Sequence, residues 1–257
     1  MNVPQMDARR GVPQLRLPRG LCHYVPSHHD SAGYMMANPV MGPADTETFV
    51  GCRVLEADSS ECQVITSKFY NDWVKGECPK VDFILNIFCP GVLTEMWEDR
   101  RASLANKHSP TAVEQHYHGT IISCDIITSE DLCQCSDCGI CGICRNGFQK
   151  SRIGSNITFK RFGHGFYLAP HSSKCHDYTQ GIHTHRAMLL CDVLPGKKHV
   201  VQTNQTHFVA PPQGYDSVYG QPGSALNYPE IVIYDEASIL PRYVIVYQKD
   251  GIMKIAK

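Results

Sequence analysis

Four stretches of the chain carry side chains whose type and spacing could do chemistry. The first is Tyr117-His118-Gly119-Thr120, an imidazole followed at once by a glycine at the end of an expected strand. The second runs from Gly163-His164-Gly165-Phe166-Tyr167-Leu168-Ala169 into Ser172-Ser173-Lys174-Cys175-His176-Asp177-Tyr178. The third is Tyr228-Pro229-Glu230-Ile231-Val232-Ile233-Tyr234-Asp235, in which a glutamate opens an apolar strand. The fourth is Cys133-x-Cys135-x2-Cys138-x2-Cys141-x2-Cys144. Cysteines two residues apart can turn their thiolates onto one tetrahedral ion. Zinc is the default for such a site, and the cysteine number also suits an iron–sulfur cluster. Five cysteines for four positions leave the ligand set open among Cys133, Cys135, Cys138, Cys141 and Cys144. The alternative is a loop of free thiols, since cysteine also packs as a small hydrophobe. Taken singly, the other three stretches have structural explanations: a satisfied histidine, core tyrosines, and a glutamate on the surface at a strand start.

The elements that must position these residues read as α+β. Phe69 and Trp73 share one face of a short helix within residues 65–73, and residues 81–88 form an apolar run of strand length stopped by Pro90-Gly91. Leu93, Met96, Trp97 and Leu104 make one stripe of a second helix, with Glu95, Glu98 and Asp99 early and Arg100, Arg101 and Lys107 late, as the helix dipole favours. Short strands follow over residues 115–119, 157–162, 165–169, 187–193, 230–234 and 243–248. They lack the alternating helices that a doubly wound parallel sheet requires.

Residues 1–48 read as a poorly ordered leader carrying Pro4, Pro13, Pro18, Pro26, Pro39 and Pro43, and residues 49–257 as one domain with a cysteine-rich loop at 133–144. The chain has 257 residues, with 24 Lys plus Arg against 25 Asp plus Glu, and that near-neutral balance argues against an obligate nucleic-acid or membrane-surface binder. Thirteen cysteines without a recognisable signal peptide fit metal ligands or free thiols better than a disulfide framework. Reduced thiols and the lack of an apolar run of spanning length point to the cytoplasm or nucleus.

In this order and at these intervals, the three non-cysteine stretches resemble the catalytic domain of the poly(ADP-ribose) polymerase family, the diphtheria-toxin-like ADP-ribosyltransferases, and in places the tankyrase-like branch. His185-Arg186-Ala187-Met188-Leu189-Leu190-Cys191, Ala210-Pro211-Pro212-Gln213-Gly214-Tyr215-Asp216-Ser217-Val218 and Pro241-Arg242-Tyr243-Val244-Ile245-Val246-Tyr247-Gln248 extend the likeness over residues 65–248. The resemblance implies an ADP-ribosyltransferase fold of split, mostly antiparallel sheets flanked by a few helices. It implies NAD+ as substrate and a His-Tyr-Glu triad of His118, Tyr167 and Glu230. By the same resemblance Gly119, Ser173, Cys175 and Tyr178 join His118 and Tyr167 in binding NAD+, with Tyr167 and Tyr178 sandwiching the nicotinamide ring. The reaction would release nicotinamide and pass ADP-ribose to an acceptor, a protein or else a nucleic-acid end.

Three departures qualify the resemblance. Cys175 stands where the family usually has a serine hydroxyl, and a thiol is the weaker hydrogen-bonding group, so the expectation is either a lower nicotinamide affinity or substitution by Ser173. The tankyrase-like zinc site precedes the His-Arg-x-Met-Leu strand, where this sequence has only His183 and His185, so the ligand set has either moved to residues 133–144 or been lost. There is also no room before the first helix for the helical bundle of DNA-dependent members, and activation by DNA breaks is not expected. A glutamate at position 230 is compatible with chain elongation and leaves single-unit and polymer transfer both open. The rival readings are a catalytically silent module that keeps the pocket, and a zinc module binding nucleic acid through residues 133–144.

Overall fold

The computed structural model describes residues 50–108, 112–124, 131–154, 160–181, 185–223 and 226–253, with side chains described as far as Gln248. The leader expected over residues 1–48 lies outside the described residues, as do residues 157–159 of the strand expected at 157–162. Lys160–Phe162 lead into a turn rather than a strand, the Gly163 amide donating to the Lys160 carbonyl at 3.1 Å.

Among the described residues, nine strands form two sheets. The first has the order β1-β2-β9-β5-β3, built from β1 (Gly51–Val54), β2 (Cys78–Phe88), β3 (Glu114–Gly119), β5 (His185–Val193) and β9 (Ile239–Met253), and every neighbouring pair is antiparallel. The second has the order β4-β8-β7-β6, from β4 (Phe166–Leu168), β6 (Lys198–Val201), β7 (Ser217–Gly220) and β8 (Glu230–Ile233). Only its β6–β7 pair is parallel. This is the mostly antiparallel α+β architecture that the sequence led us to expect.

The near-continuous apolar run of β5 follows from burial on both faces. Ala187, Leu189, Cys191 and Val193 point into one core with Leu85, Val244 and Val246, while Met188 and Leu190 point into another with Ile84, Ile245 and Tyr247. The second core is closed by α1 (Ser60–Asn71) through Ile65 and Phe69. Ser59 caps that helix, its hydroxyl accepting the Cys62 amide at 3.2 Å. The first core is closed by α3 (Gly139–Asn146) through Ile140, Cys141 and Cys144. The cysteine segment is thus helical from Gly139 onward, where the sequence reading had a loop. Its apolar residues recur at helical spacing, which the cysteine count obscured.

Helix α2 (Gly91–Lys107) packs Trp97 and Leu104 on Leu194 and Leu240, with Leu93 half-buried beside them. Met96, expected in the same stripe, instead faces solvent at 41% exposure. Strands β1, β6 and β7 had no clear sequence signal, each being only four residues long. Among the described residues no helix is long and apolar enough to cross a membrane.

The two sheets meet where β3 touches the chain just after β4. The Tyr117 amide donates to the Ala169 carbonyl at 2.8 Å and the Ala169 amide returns the bond to Tyr117 at 3.0 Å. That junction brings the ends of β3 and β4 and the following helix α4 (Ser172–His176) to one place.

Candidate functional site

Alternation along β3 sends Tyr117 and His118 to opposite faces. Tyr117 is fully buried, and its hydroxyl donates to Asp72 at 3.0 Å at the end of α1. His118 faces the sheet junction. Its Nδ1 lies 2.9 Å from the Tyr167 carbonyl oxygen, which can only accept, so Nδ1 carries the proton. Nε2 is left as the acceptor. Burial pushes the His118 pKa below its ordinary value, against a smaller upward pull from the Tyr167 carbonyl, so the ring is neutral at pH 7. The edge of Phe148 closes one side of the imidazole at 5.0 Å between centroids.

Tyr167 lies on β4 opposite Val232 of β8, and Glu230 is two residues from Val232 on the same strand. Directly opposed residues and their i+2 neighbours share a face, so the Tyr167 and Glu230 side chains project from the same side of the second sheet. The Tyr167 hydroxyl is held at both lone pair and proton, accepting from the Phe162 amide at 2.8 Å and donating to the Gly163 carbonyl at 3.0 Å. Burial raises its pKa, and the nearby Glu230 charge raises it further, so it stays a neutral phenol. These bonds fix the plane of the Tyr167 ring.

Glu230 is only 5% exposed, which a carboxylate tolerates when it is paired. Its partner is Lys174 of α4, whose ammonium lies 2.8 Å from Oε1 and also donates to the Tyr178 hydroxyl at 3.3 Å. Burial alone would lower the Lys174 pKa, but the hydrogen bond and charge of Glu230 outweigh it and leave the pKa raised. Tyr178 follows α4 and is 39% exposed, at the open rim of the site. Lys174 was quoted in the second stretch but given no role there. Its place one residue before Cys175, inside a stretch expected to line the site, was the available signal.

Gly119 is required by close approach. A Cβ there would sit 2.1 Å from the Cys175 carbonyl oxygen and 3.1 Å from Cβ of Tyr178. The strand end and α4 therefore touch backbone to backbone. Cys175 is buried and its thiol donates to the Tyr117 carbonyl at 3.0 Å, with burial raising its pKa to about 12. Ser173 is fully buried, and its hydroxyl accepts the Val74 amide at 3.0 Å. Ser172 likewise donates to the Phe69 carbonyl at 2.8 Å. Both serines tie α4 to the end of α1 and the residues following it, which is why Lys174 is held so firmly against Glu230.

The cysteines sort differently from any choice within residues 133–144. The sulfur atoms of Cys124, Cys133, Cys138 and Cys141 all lie within 4.8 Å of one another, a set compatible with one metal ion. Cys135 and Cys144 stand outside this group. Cys144 lies three residues beyond Cys141 on α3 and is fully buried in the first core with Cys52 and Cys191. Cys124, from the chain leaving β3, was missed because it is nine residues from the nearest member of the run. His185, near the tankyrase-like position, pairs with Asp82 at 2.9 Å, and His183 lies outside the described residues.

Residues 59–225 match the family model for the Poly(ADP-ribose) polymerase catalytic domain. The matched span holds His118, Gly119, Tyr167, Lys174, Cys175 and Tyr178, and Glu230 follows just beyond its end.

Proposed function

The chain belongs to the poly(ADP-ribose) polymerase catalytic-domain family, a family of NAD-dependent ADP-ribosyltransferases, and we propose that it is an active transferase that moves ADP-ribose from NAD+ to a protein acceptor. The observation that carries this reading is the convergence of a neutral imidazole, an oriented tyrosine and a buried carboxylate at the sheet junction. His118 bonds Tyr167, Tyr167 shares a face with Glu230, and Glu230 holds Lys174 beside Tyr178.

In this reading the nicotinamide ring lies between Tyr167 and Tyr178, where aromatic faces favour stacking. The free Nε2 of His118 accepts from a hydroxyl of the adenosine ribose. Lys174 engages Oε1 of Glu230, and the other carboxylate oxygen accepts from the 2′-hydroxyl of the nicotinamide ribose. The bond from the ribose anomeric carbon to the nicotinamide nitrogen breaks, its electron pair leaves with the now neutral nicotinamide, and positive charge develops on the ribose. A buried carboxylate at that hydroxyl stabilises the oxocarbenium-like state, as in glycoside cleavage. The acceptor's nucleophilic atom then bonds the anomeric carbon and gives up its proton, so nicotinamide and one proton are released per transfer.

A nucleic-acid end would serve as acceptor by the same chemistry, and a glutamate at position 230 permits single-unit or polymer transfer. The four-thiol group would supply structural support by holding one zinc. Incubation with NAD+ labelled in its adenylate, with Glu230→Gln alongside, tests the reading. A silent module would neither release nicotinamide nor label any acceptor.

A further inference from the structure

A single ion bound by four thiolates at about 2.3 Å in a tetrahedron holds its sulfurs about 3.8 Å apart. The Cys124 sulfur lies 3.8 Å from Cys138 and 3.4 Å from Cys141, and all four sulfurs of the group fall within 4.8 Å of each other. An iron–sulfur cluster spreads its thiolates over several irons and so holds them farther apart. We propose that Cys124, Cys133, Cys138 and Cys141 bind one zinc ion, with Cys135 and Cys144 taking no part.

The ligands come from two pieces of chain. Cys138 immediately precedes α3 and Cys141 lies in its first turn, while Cys124 belongs to the segment leaving β3 just after His118 and Gly119. The ion is therefore a cross-link between that segment and the start of α3. Independent contacts already register the two pieces. The Ile140 amide donates to the Ile121 carbonyl at 3.1 Å, and the Ser123 hydroxyl to the Asp137 carbonyl at 3.2 Å. Gly139 lies so close to Thr120 that a Cβ would fall 2.2 Å from its hydroxyl.

At its other end α3 stops at Gly147, whose φ of +68° suits glycine, and Phe148 follows with its ring against His118 at 5.0 Å and Phe166 at 5.4 Å. The metal thus fixes the helix that carries one wall of the His118 pocket. Four thiolates close the tetrahedron, so no position remains for water and the ion is structural. The ligand set stands independently of the transferase reading. Only the consequence for His118 rests on it.

Elemental analysis of the full chain, purified without added metal, tests the assignment without NAD+. The expected result is one zinc per chain, lost in Cys124→Ser and retained in Cys135→Ser. Should Cys124→Ser fail to fold, the wild-type chain still decides. Cobalt exchanged for zinc should give the intense thiolate charge-transfer and tetrahedral visible bands, and chelation should expose four additional thiols and lower the unfolding midpoint by about 5 °C or more. Zinc far below stoichiometric with no response to added zinc, iron with sulfide in its place, or zinc lost from Cys135→Ser as fully as from Cys124→Ser would each overturn it. A zinc-loaded chain that leaves NAD+ untouched would sink the transferase reading and leave the metal site standing.

Discussion

The ammonium of Lys174 sits 2.8 Å from the Glu230 carboxylate, and this pair ties the short helix α4 to the first residue of β8. Both side chains are more than four-fifths buried, at 15% and 7% exposure, so the charges depend on each other. Removing one member leaves the other uncompensated in a low-dielectric setting, at a cost of about 2–4 kcal/mol. Lys174→Met is therefore expected to unfold at clearly lower denaturant than wild type at pH 7. The Lys174 pKa is raised in the fold, so the stabilisation is complete below the ordinary lysine value of about 10.4. It is lost as pH rises through the raised value. Equal midpoints for variant and wild type at pH 7 would contradict the pairing.

His118 has the opposite sign. Its pKa is lowered by burial, so the unfolded chain takes up a proton near pH 6.5 before the fold does. Its contribution to stability is unchanged above that value and is lost as pH falls from there towards the folded pKa. Nitrogen-15 spectra of the imidazoles should show His118 in the Nδ1–H form and still neutral at pH 6.5. An Nε2–H form would be incompatible with the bond to the Tyr167 carbonyl, and titration above pH 6.5 would contradict burial as the dominant influence on the ring.

Glu114 links the two sheets. Its carboxylate bonds His116 at 2.9 Å on its own strand and Lys198 of β6 at 2.6 and 2.8 Å. The His116 hydrogen bond, with the Lys198 contacts added, outweighs burial and holds its pKa at about 2. The stabilisation is thus full above the ordinary glutamate value and lost as pH falls towards 2. The groups are nearly one-third exposed, and solvent screening reduces the expected cost of Glu114→Gln to about 1–2 kcal/mol at neutral pH. Urea midpoints of the two proteins should converge as pH drops below about 4. A gap that persists at pH 2 would show that the charge is not its source.

Gly119→Ala places a methyl 2.1 Å from the Cys175 carbonyl, where backbone and not a flexible side chain must yield. The expected loss is about 1–3 kcal/mol, together with displacement of α4 from β3. Thermal unfolding and titration with a nicotinamide analogue should both weaken. A variant with wild-type values of each would remove close approach as the reason for this glycine.

The sequence made β5, β8 and β9 and the order of the site residues readable, because these strands are apolar runs flanked by turn residues, whereas the four-residue β1, β6 and β7 carried no such signal. It did not show what occupies each hydroxyl. Ser173 had the right chemistry and the right neighbourhood, and its hydroxyl accepts the Val74 amide, a bond that spacing did not foretell. A one-residue step along a helix rotates a side chain by about 100°, and spacing from Tyr167 alone could not resolve it. Lys174 went unassigned for a related reason, since its partner lies 56 positions away on β8. The four-thiol group was only partly readable. Spacing of two suggested a compact run, whereas the fold gathers Cys124 with Cys133, Cys138 and Cys141 and leaves Cys135 and Cys144 outside, Cys144 lying three residues further along α3 than Cys141. Met96 failed similarly: helical spacing fits the stripe, but the surface beside it is solvent.

The most direct test of the central claim is transfer from adenylate-labelled NAD+ by the full chain, with released nicotinamide measured in parallel. The wild-type protein should release nicotinamide and label itself or an added protein. Glu230→Gln, which keeps the shape and removes the charge, should lower that rate by about 100-fold or more. Turnover by Glu230→Gln equal to that of wild type, or no nicotinamide release by a folded wild-type chain across a panel of acceptors, would contradict the assignment.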